Sequence, residues 1–313
     1  MQPPFRTQQG AAILLAMLIM ALLASLASMA LSRHWLQERT SRLVQQTMQH
    51  EALLTAGQQW AQTILIEDAR GPKIDHLQEA WALPMPATPL AAFLGQSNTP
   101  ETRDGPDANV SVHIDDLMGR WNILSLRRAP ERSQHFELAR RIALEAGLPA
   151  DKFIRLVDAA PPERASNWFG GSSALRAPQG PEACLLWLGL THTEIVRLRS
   201  MVTCLPDETA LNLNTVPPQF FAWLFGPDIA ENAIKERNQR PFDSIADAAN
   251  RLKVSPTTFP LFLFGHPSIG WTTTSAWFAI RTEVEVDGIP WQTTQTVQRL
   301  GTYIQTLSTT NEF

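Results

Sequence analysis

The chain of 313 residues is predicted to fold as an α+β protein with a long N-terminal helix and an antiparallel sheet. Two observations predict this class. An apolar run near the N-terminus continues into a long stretch that has no proline, and alternating strand patterns lie on both sides of a central block of helical patterns. Because strands precede and follow this block, we expect its helices to be inserted into a domain that is built on the sheet.

The apolar run extends from Ala11 to Leu31, and its only polar residues are Ser25 and Ser28. At ~1.5 Å of rise per residue it makes a helix of ~30 Å, which is enough to cross a bilayer. Three interpretations are open at this point: a cleaved secretory signal, an uncleaved membrane anchor, and a signal of the prepilin type that is cut after Gly10.

The helical pattern continues beyond the apolar run. From Trp35 to Ala69 there is no proline, and Gly71-Pro72 then ends the helix. One helix is therefore predicted from Ala11 to Ala69, with a second half that is apolar on one side and packs, through Trp60 and its neighbours, on the protein's own sheet. The apolar positions of this second half are Leu43, Val44, Met48, Leu53, Leu54, Trp60, Ile64 and Leu65.

One hairpin is predicted before the helical block and another after it. Asn109–Ile114 and Trp121–Leu126 alternate in polarity and predict the first, whereas residues 72–108 are predicted to be mostly loop. Ala276–Val286 and Trp291–Leu300 predict the second hairpin, with a turn at Asp287-Gly288. Helices are predicted between them, at Phe136–Ala146, Lys152–Ala159, Thr193–Met201, Gln219–Phe225, Ile229–Arg237 and Ile245–Leu252.

Charge and motifs narrow the classes of function. The net charge is −4 and the basic residues are scattered, so nucleic-acid binding is not expected. The chain has no nucleophile elbow, zinc-protease motif or phosphate-binding loop, so no enzymatic activity is expected. Cys184 and Cys204, behind an export segment, predict one disulfide in an oxidising compartment; two buried free thiols are the alternative.

Several motifs, in order along nearly the whole chain, resemble the GspK/XcpX family, the large minor pseudopilins of type II secretion systems. The most specific is Asp75-His76-Leu77-Gln78-Glu79-Ala80-Trp81-Ala82-Leu83-Pro84, which is similar to the family's Asp-His-Leu-x-Glu-x-Trp-Ala-x-Pro. The others are Gln8-Gln9-Gly10 followed by Ala11-Ala12-Ile13-Leu14-Leu15, Ala56–Ala61, Asp116–Ile123, and Val202–Pro206 leading to Leu211–Pro218.

The resemblance implies a pilin-like fold, in which the long helix lies on the antiparallel sheet and a large α-helical domain is inserted. The segments it implies are a prepilin leader (1–10), the transmembrane part of the helix (11–31), the first part of the pilin domain (32–129), the inserted α-helical domain with a helix-hairpin-helix-like segment (130–265), and the C-terminal strands of the pilin domain (266–313).

The resemblance also implies processing and location. A prepilin peptidase would cleave between Gly10 and Ala11 and methylate Ala11. The protein would be anchored in the inner membrane with its bulk in the periplasm, and would assemble at the pseudopilus tip with other minor pseudopilins of the I, J and H types. Most pilins carry Glu where this chain has Leu15, an absence that the family shares. The alternative is a minor pilin of the type IV pilus kind or a competence-type DNA-binding module.

Calcium is the one cofactor that the resemblance suggests, because the family includes calcium-bound members. Hard oxygen ligands are available at Asp207 and Glu208, and at Asp115 and Asp116. Neither pair matches an EF-hand loop, and solvated turns are the alternative interpretation. No ligand set is carried over from the family.

Overall fold

The computed structural model describes residues 9–71, 73–93, 108–127, 129–159, 180–206, 208–260, 268–286 and 288–312. It divides into two compact units, Met1–Ala52 and Leu53–Phe313. The predicted leader (apart from Gln9 and Gly10), Pro72 and Asp287 lie outside the described residues. The domain limits that the resemblance implies remain a prediction.

The N-terminal helix α1 comprises Gln9–Asp68 and is 60 residues long. It ends within one residue of the predicted limit. Its first half contains the apolar run, which is exposed on every side from Ile13 to Leu31, with Leu15 and Leu31 exposed by 59% and 70%. Ile13–Asp68 is the one helix of the described chain that is long and apolar enough to cross a membrane. The single long helix predicted from the sequence is therefore confirmed.

Five antiparallel strands form the main sheet in the order β1-β2-β7-β8-β9. Val286 pairs with Ile289 at the turn between β7 and β8, so the second predicted hairpin is confirmed. The edge strands β1 and β9 were not predicted. The strands are β1 (Met85–Pro89), β2 (Ala108–Asp116), β3 (Trp121–Asn122), β4 (Val202–Thr203), β5 (Leu211–Asn212), β6 (Trp271–Thr272), β7 (Trp277–Val286), β8 (Ile289–Leu300) and β9 (Tyr303–Glu312).

The first predicted hairpin is wrong. Strand β2 pairs with β1 and β7, whereas β3 pairs in parallel with β4 and continues into a 3-10 helix at Ile123–Arg127. The reason is burial: residues 121–126 are all buried, so their alternating polarity does not mark one exposed and one covered face. The chain turns after Asp116 and enters the helical part of the protein.

The region between β2 and β7 is mainly helical. All six predicted helical segments are confirmed, and one further helix, α5, was not predicted. The helices after α1 are α2 (Leu90–Phe93), α3 (Gln134–Glu145), α4 (Lys152–Ala159), α5 (Pro181–Trp187), α6 (His192–Leu198), α7 (Pro218–Phe225), α8 (Pro227–Gln239) and α9 (Ile245–Leu252). Short 3-10 helices occupy Ala80–Ala82 and Pro256–Thr258.

Two main hydrophobic cores support the unit Leu53–Phe313. The sheet core joins the end of α1 to the inner face of β2 and β7, and Trp81 packs edge-on against Phe278 with ring centroids 5.3 Å apart. The helical core is larger and more aromatic. At its centre the Trp271 ring lies 6.0 Å from Phe221 and 5.8 Å from Phe259. Each core buries the apolar faces of its elements, which is the main favourable contribution to folding.

The contact of α1 with the sheet depends on Gly57 and not on Trp60. A Cβ atom on Gly57 would lie 2.6 Å from Cγ2 of Thr282 in β7, so only glycine allows this close approach. Trp60 is 39% exposed and contacts Phe93 in α2 instead of the sheet, which corrects the prediction. The residues of α1 that are buried on the sheet side are Leu54, Gly57, Gln58, Ala61 and Leu65.

Buried amides fix the register of this contact. Gln295 of β8 donates from Nε2 to Oε1 of Gln58 at 2.8 Å, and Gln62 donates to Oε1 of Gln295 at 3.0 Å. Sliding the helix along the sheet would break these bonds, and an unsatisfied buried amide is costly in free energy.

The mixed α+β class, with a long N-terminal helix, an antiparallel sheet and further helices, is confirmed.

Candidate functional site

The most unusual feature of the unit Leu53–Phe313 is a group of buried polar residues that we call the polar junction. It lies where the end of α1, the loop before β1 and the end of β2 meet β5, the start of β7 and the end of β8. Its members are Asp68, Asp75, Glu79, Asp116, Asn212, Thr215, Ser275 and Arg299.

Asp116, the last residue of β2, is at the centre of the junction. Its Oδ1 accepts a hydrogen bond of 2.7 Å from the backbone N–H of Met118. Its Oδ2 accepts from the hydroxyls of Thr215 and Ser275 at 2.5 and 2.6 Å, and from the side-chain amide of Asn212 at 3.4 Å. Burial outweighs these bonds and raises the pKa of Asp116 to about 6.

Asn212 connects the junction to the helical core. Its Nδ2 donates to the backbone carbonyl of Asp75 at 3.1 Å and to Oγ of Ser275 at 2.8 Å. Its Oδ1 accepts from the N–H of Asn214 at 2.9 Å. Asn214 then exchanges two hydrogen bonds with the backbone of Phe242, at 3.1 and 2.8 Å. The Asn212–Asn214 segment therefore links three distant parts of the chain.

Arg299 provides the positive charge of the junction. Its guanidinium donates to Asp68 at 2.7 Å, to Asp75, and to the backbone carbonyl of Ser275 at 2.8 Å. It also lies 4.9 Å from the ring centroid of Phe278, where a cation–π contact adds to the attraction. Burial alone would lower the pKa of Arg299, but the charges of Asp75 and Asp68 outweigh burial and raise it.

Glu79 is held at the edge of the junction by residues of its own motif. Its Oε2 accepts from the indole N–H of Trp81 at 2.7 Å and from the backbone N–H of His76 at 2.9 Å. Burial outweighs both bonds and raises the pKa of Glu79 to about 7. Since neighbouring Asp68 and Asp75 also carry negative charge, a neutral Glu79 reduces the repulsion among the three carboxyl groups.

The junction contains a group of carboxylates with metal-ligand spacing. Oxygen atoms of Asp68, Asp75 and Glu79 all lie within 4.8 Å of one another. However, the guanidinium of Arg299 already neutralises Asp68 and Asp75. A bound cation would have to displace Arg299 or share the site with it, so we interpret this cluster as part of a structural ion pair and not as a metal site.

The predicted calcium candidates are not brought together at the junction. Asp115 and Asp116 are consecutive in β2 and point to opposite faces of the sheet. Burial would raise the pKa of Asp115, but hydrogen bonding to His113 and the charge of Arg120 lower it to about 2. Both carboxylates are thus already occupied by protein groups and do not fit a shared ion.

The remaining candidates are Asp207, Glu208, Gly10 and Ala11. Asp207 lies outside the described residues, and calcium binding at Glu208 remains a prediction. Gly10 and Ala11 lie in the first turns of α1. Cleavage between them, and methylation of Ala11, also remain predictions.

The two cysteines are joined in a disulfide. Cys184 lies in α5 and Cys204 follows β4, and their Cα atoms are 6.1 Å apart. Both side chains are fully buried in the helical core. The disulfide therefore connects α5 to the strand segment that leads towards the junction.

Asp68, Ser275 and Arg299 are the junction residues that the sequence analysis did not identify. Asp68 lies in the predicted long helix but in none of the motifs. Ser275 carries no signal, because serine is common in loops. Arg299 carries one: it is two residues from the fully buried Val297 in β8, so strand alternation places it on the core side. A lone arginine at an inward position of a strand indicates a buried ion pair. The arrangement is suited to holding segments together, since every polar group described here is engaged by another protein group.

Comparison with known proteins agrees with the fold. No family model matches the chain. In sequence, the chain is 25% identical over 277 residues to the type II secretion system protein K of Pseudomonas aeruginosa, which covers 79% of this chain and 78% of that protein. In structure, it is similar to a chain from the crystal structure of the GspK–GspI–GspJ complex of the enterotoxigenic Escherichia coli type 2 secretion system. That similarity has a TM-score of 0.62 at 14% identity, and covers 87% of this chain and 99% of the other. The resemblance to the GspK/XcpX family that the motifs predict is therefore confirmed, in sequence by similarity to a type II secretion system protein K and in fold by similarity to the E. coli structure.

Proposed function

We propose that this chain is a minor pseudopilin of a type II secretion system. It would initiate assembly of the pseudopilus, remain at its tip, and support protein export across the outer membrane. The observation that carries the proposal is sequence similarity to type II secretion system protein K over 79% of the chain. Its role would be structural and not enzymatic.

The architecture supports this proposal. Within the first half of α1, Ile13–Leu31 exposes apolar side chains on all sides, as a single membrane-spanning helix does. We infer that this half is anchored in the inner membrane and that Leu53–Phe313 lies in the periplasm. The E. coli structure contains three Gsp proteins together, so partners of the I and J types, with an H-type subunit, are proposed for this chain.

Leu15 supports a place at the tip. A carboxylate at this depth in hydrocarbon is costly unless it pairs with the amino terminus of a neighbouring subunit. A subunit with no neighbour above it lacks that partner, so an apolar side chain costs less free energy. Leu15 is 59% exposed and meets this requirement.

Processing gives the direct test. We expect prepilin peptidase to cut between Gly10 and Ala11, so that intact-mass analysis of the membrane-extracted protein finds a chain that begins with N-methylalanine at position 11. Retention of Met1, or a start after Ala27 or Ala30, would contradict this.

A variant at the cleavage position tests processing and function together. Gly10→Trp is expected to leave the unprocessed chain in the membrane and to stop secretion, because a large side chain would not fit the peptidase site. Gly301→Asn is a matched control: this glycine has a φ of 63° in the exposed turn before β9, a conformation that asparagine tolerates. Normal secretion by Gly10→Trp would argue against the prepilin interpretation.

The competence-type alternative predicts DNA binding by the helix-hairpin-helix-like segment around α7 and α8. Between these two helices Gly226 is followed by Pro227 and Asp228. Proline lacks an N–H donor and aspartate repels phosphate, so we expect no binding. Tight binding of DNA that weakens steeply with added salt would favour the alternative.

A further inference from the structure

One face of α1, just beyond the apolar run, combines aromatic and charged side chains. It comprises Trp35, Glu38, Arg39 and Arg42, and we call it the interfacial face. These positions are spaced three, four and seven residues apart, so they share one side of the helix. Trp35 is 59% exposed.

Of the two arginines in this face, one is paired with a carboxylate and the other can bind an external anion. Arg42 forms an ion pair of 2.5 Å with Glu38, one turn earlier. The guanidinium of Arg39 lies 5.6 Å from the ring centroid of Trp35. Across the described part of the chain Arg39 has no carboxylate within ion-pair distance. The indole therefore orients a guanidinium whose hydrogen-bond donors remain free for an anion.

The distance from the apolar run places this face at the membrane surface. Trp35 follows Leu31 by four residues, which is about 6 Å along the helix. The headgroup layer on each side of the hydrocarbon is about 5–7 Å thick. Tryptophan is enriched at that level, and the long arginine side chain reaches back to it from about one turn further along the helix.

The other side of the same helix segment offers a different surface. Val44 and Met48 follow Trp35 by nine and thirteen residues, which places them on the opposite side of the helix, and both are apolar and at least half exposed. A neighbouring protein helix would gain most by packing against these residues, since it could bury apolar area there. Such packing would leave the interfacial face turned towards lipid.

We propose that the interfacial face binds the phosphate group of an anionic phospholipid, with the Trp35 ring in the headgroup layer and the Arg39 guanidinium on the phosphate. This rests on the proposed function only in that α1 is a membrane anchor. The consequence is a defined depth for the anchor: Trp35 and Arg39 resist movement of the helix along the membrane normal in either direction.

The proposed depth of Trp35 in the membrane is tested on the full chain in lipid nanodiscs. Fluorescence of the wild type minus that of Trp35→Phe isolates Trp35 from the other tryptophans. Phosphatidylcholine brominated near the headgroup is expected to quench this difference signal more than lipid brominated near the chain end. Stronger quenching by the deep label, or none by either, would overturn the proposal.

Lipid selectivity is tested on the same nanodiscs with added phosphatidylglycerol. Native mass spectrometry counts the phosphatidylglycerol that stays bound to the released protein. Arg39→Gln is expected to reduce this binding about fivefold, which corresponds to about 1 kcal/mol per basic residue near an anionic surface. The control is Arg141→Gln, which removes the same charge from an exposed arginine of α3, outside the N-terminal helix. Equal binding by wild type and Arg39→Gln would overturn the proposal.

Two further outcomes are distinguishable. If adding partner pseudopilins abolishes the quenching of Trp35, this face binds protein and the lipid proposal is wrong. Liposome flotation separately tests the anchor: all variants are expected to float, and a wild-type chain that does not float would contradict the proposed function itself.

Discussion

The guanidinium of Arg299 donates a hydrogen bond of 2.7 Å to the carboxylate of Asp68. This bond joins the end of β8 to the last residue of α1, although the two residues are 231 positions apart in the chain. The same guanidinium binds Asp75, in the loop that follows α1. This ion pair holds the C-terminal end of α1 to the sheet.

Replacing Arg299 is expected to destabilise the protein strongly. Arg299→Met would leave the buried carboxylate of Asp75 and the partly buried Asp68 without a counter-charge, at a cost of about 3–5 kcal/mol. Urea unfolding of the full chain in detergent, followed by near-UV circular dichroism, measures this change. Arg141→Met, which breaks an exposed pair, is the control and is expected to lose less than about 1 kcal/mol. Equal losses would show that burial at Arg299 has no special effect.

Gly57→Ala is expected to weaken the contact of α1 with the sheet. The added methyl group would meet Cγ2 of the buried Thr282 at 2.6 Å. Overpacking costs about 1–3 kcal/mol, and it is offset by about 1 kcal/mol of improved helix propensity. We expect a net loss of about 1 kcal/mol in the free energy of unfolding.

A second substitution checks the cause. Thr282→Ser removes the methyl group that would clash, so Gly57→Ala should cost less, or even stabilise, when it is made in the Thr282→Ser background. Additive effects of the two substitutions in this double-mutant cycle would mean that the loss at Gly57 has another origin.

Removing the disulfide is expected to reduce stability by about 3 kcal/mol, because it closes a loop with a sequence separation of 20 residues. The variant Cys184→Ser/Cys204→Ser and the reduced wild type should show similar unfolding midpoints. A reducing agent should leave the double variant unchanged. Loss of less than about 0.5 kcal/mol on reduction would indicate that the helical core holds α5 in place without the covalent bond.

The contribution of the polar junction to the free energy of unfolding should fall as the pH rises. The folded pKa of Asp116 is about 6 against an ordinary value of 3.8, and that of Glu79 is about 7 against 4.5. Because both values are raised, their stabilising contribution is complete below about pH 4 and is lost as the pH rises through 6 and 7. Unfolding free energies measured from pH 4 to 8 should therefore contain a falling component.

Asp116→Asn isolates this component, since asparagine is nearly isosteric and does not titrate. The variant is expected to be less stable at pH 5, where it presents an amide donor to groups that themselves donate. Its stability should depend less on pH between 4 and 6 than that of the wild type. Parallel pH profiles for the two proteins would show that the Asp116 carboxyl group does not titrate in this range.

The polar junction shows which features of the candidate site the sequence could predict and which it could not. Asp75, Asp116 and Asn212 lie in motifs that the sequence analysis singled out for their family resemblance. Nothing in those motifs indicated that Asn212 bonds the carbonyl of Asp75 across 137 residues, or the carboxylate of Asp116 across 96. Such bonds depend on the path of the whole chain, and Asp68, Ser275 and Arg299 complete the group without belonging to any motif.

Local patterns determined the extent of α1 and the hairpin of β7 and β8, because residue period, apolar run length and turn residues are all encoded within a few neighbouring positions. The same kind of pattern failed at Trp121–Leu126, where alternation does not reveal which core the segment enters. Asp115 and Asp116 show the limit most directly. They are adjacent and chemically identical, yet the pKa of Asp115 falls to about 2 and that of Asp116 rises to about 6. Only the tertiary structure decides this, because the strand turns one side chain towards Arg120 and the other into the buried junction.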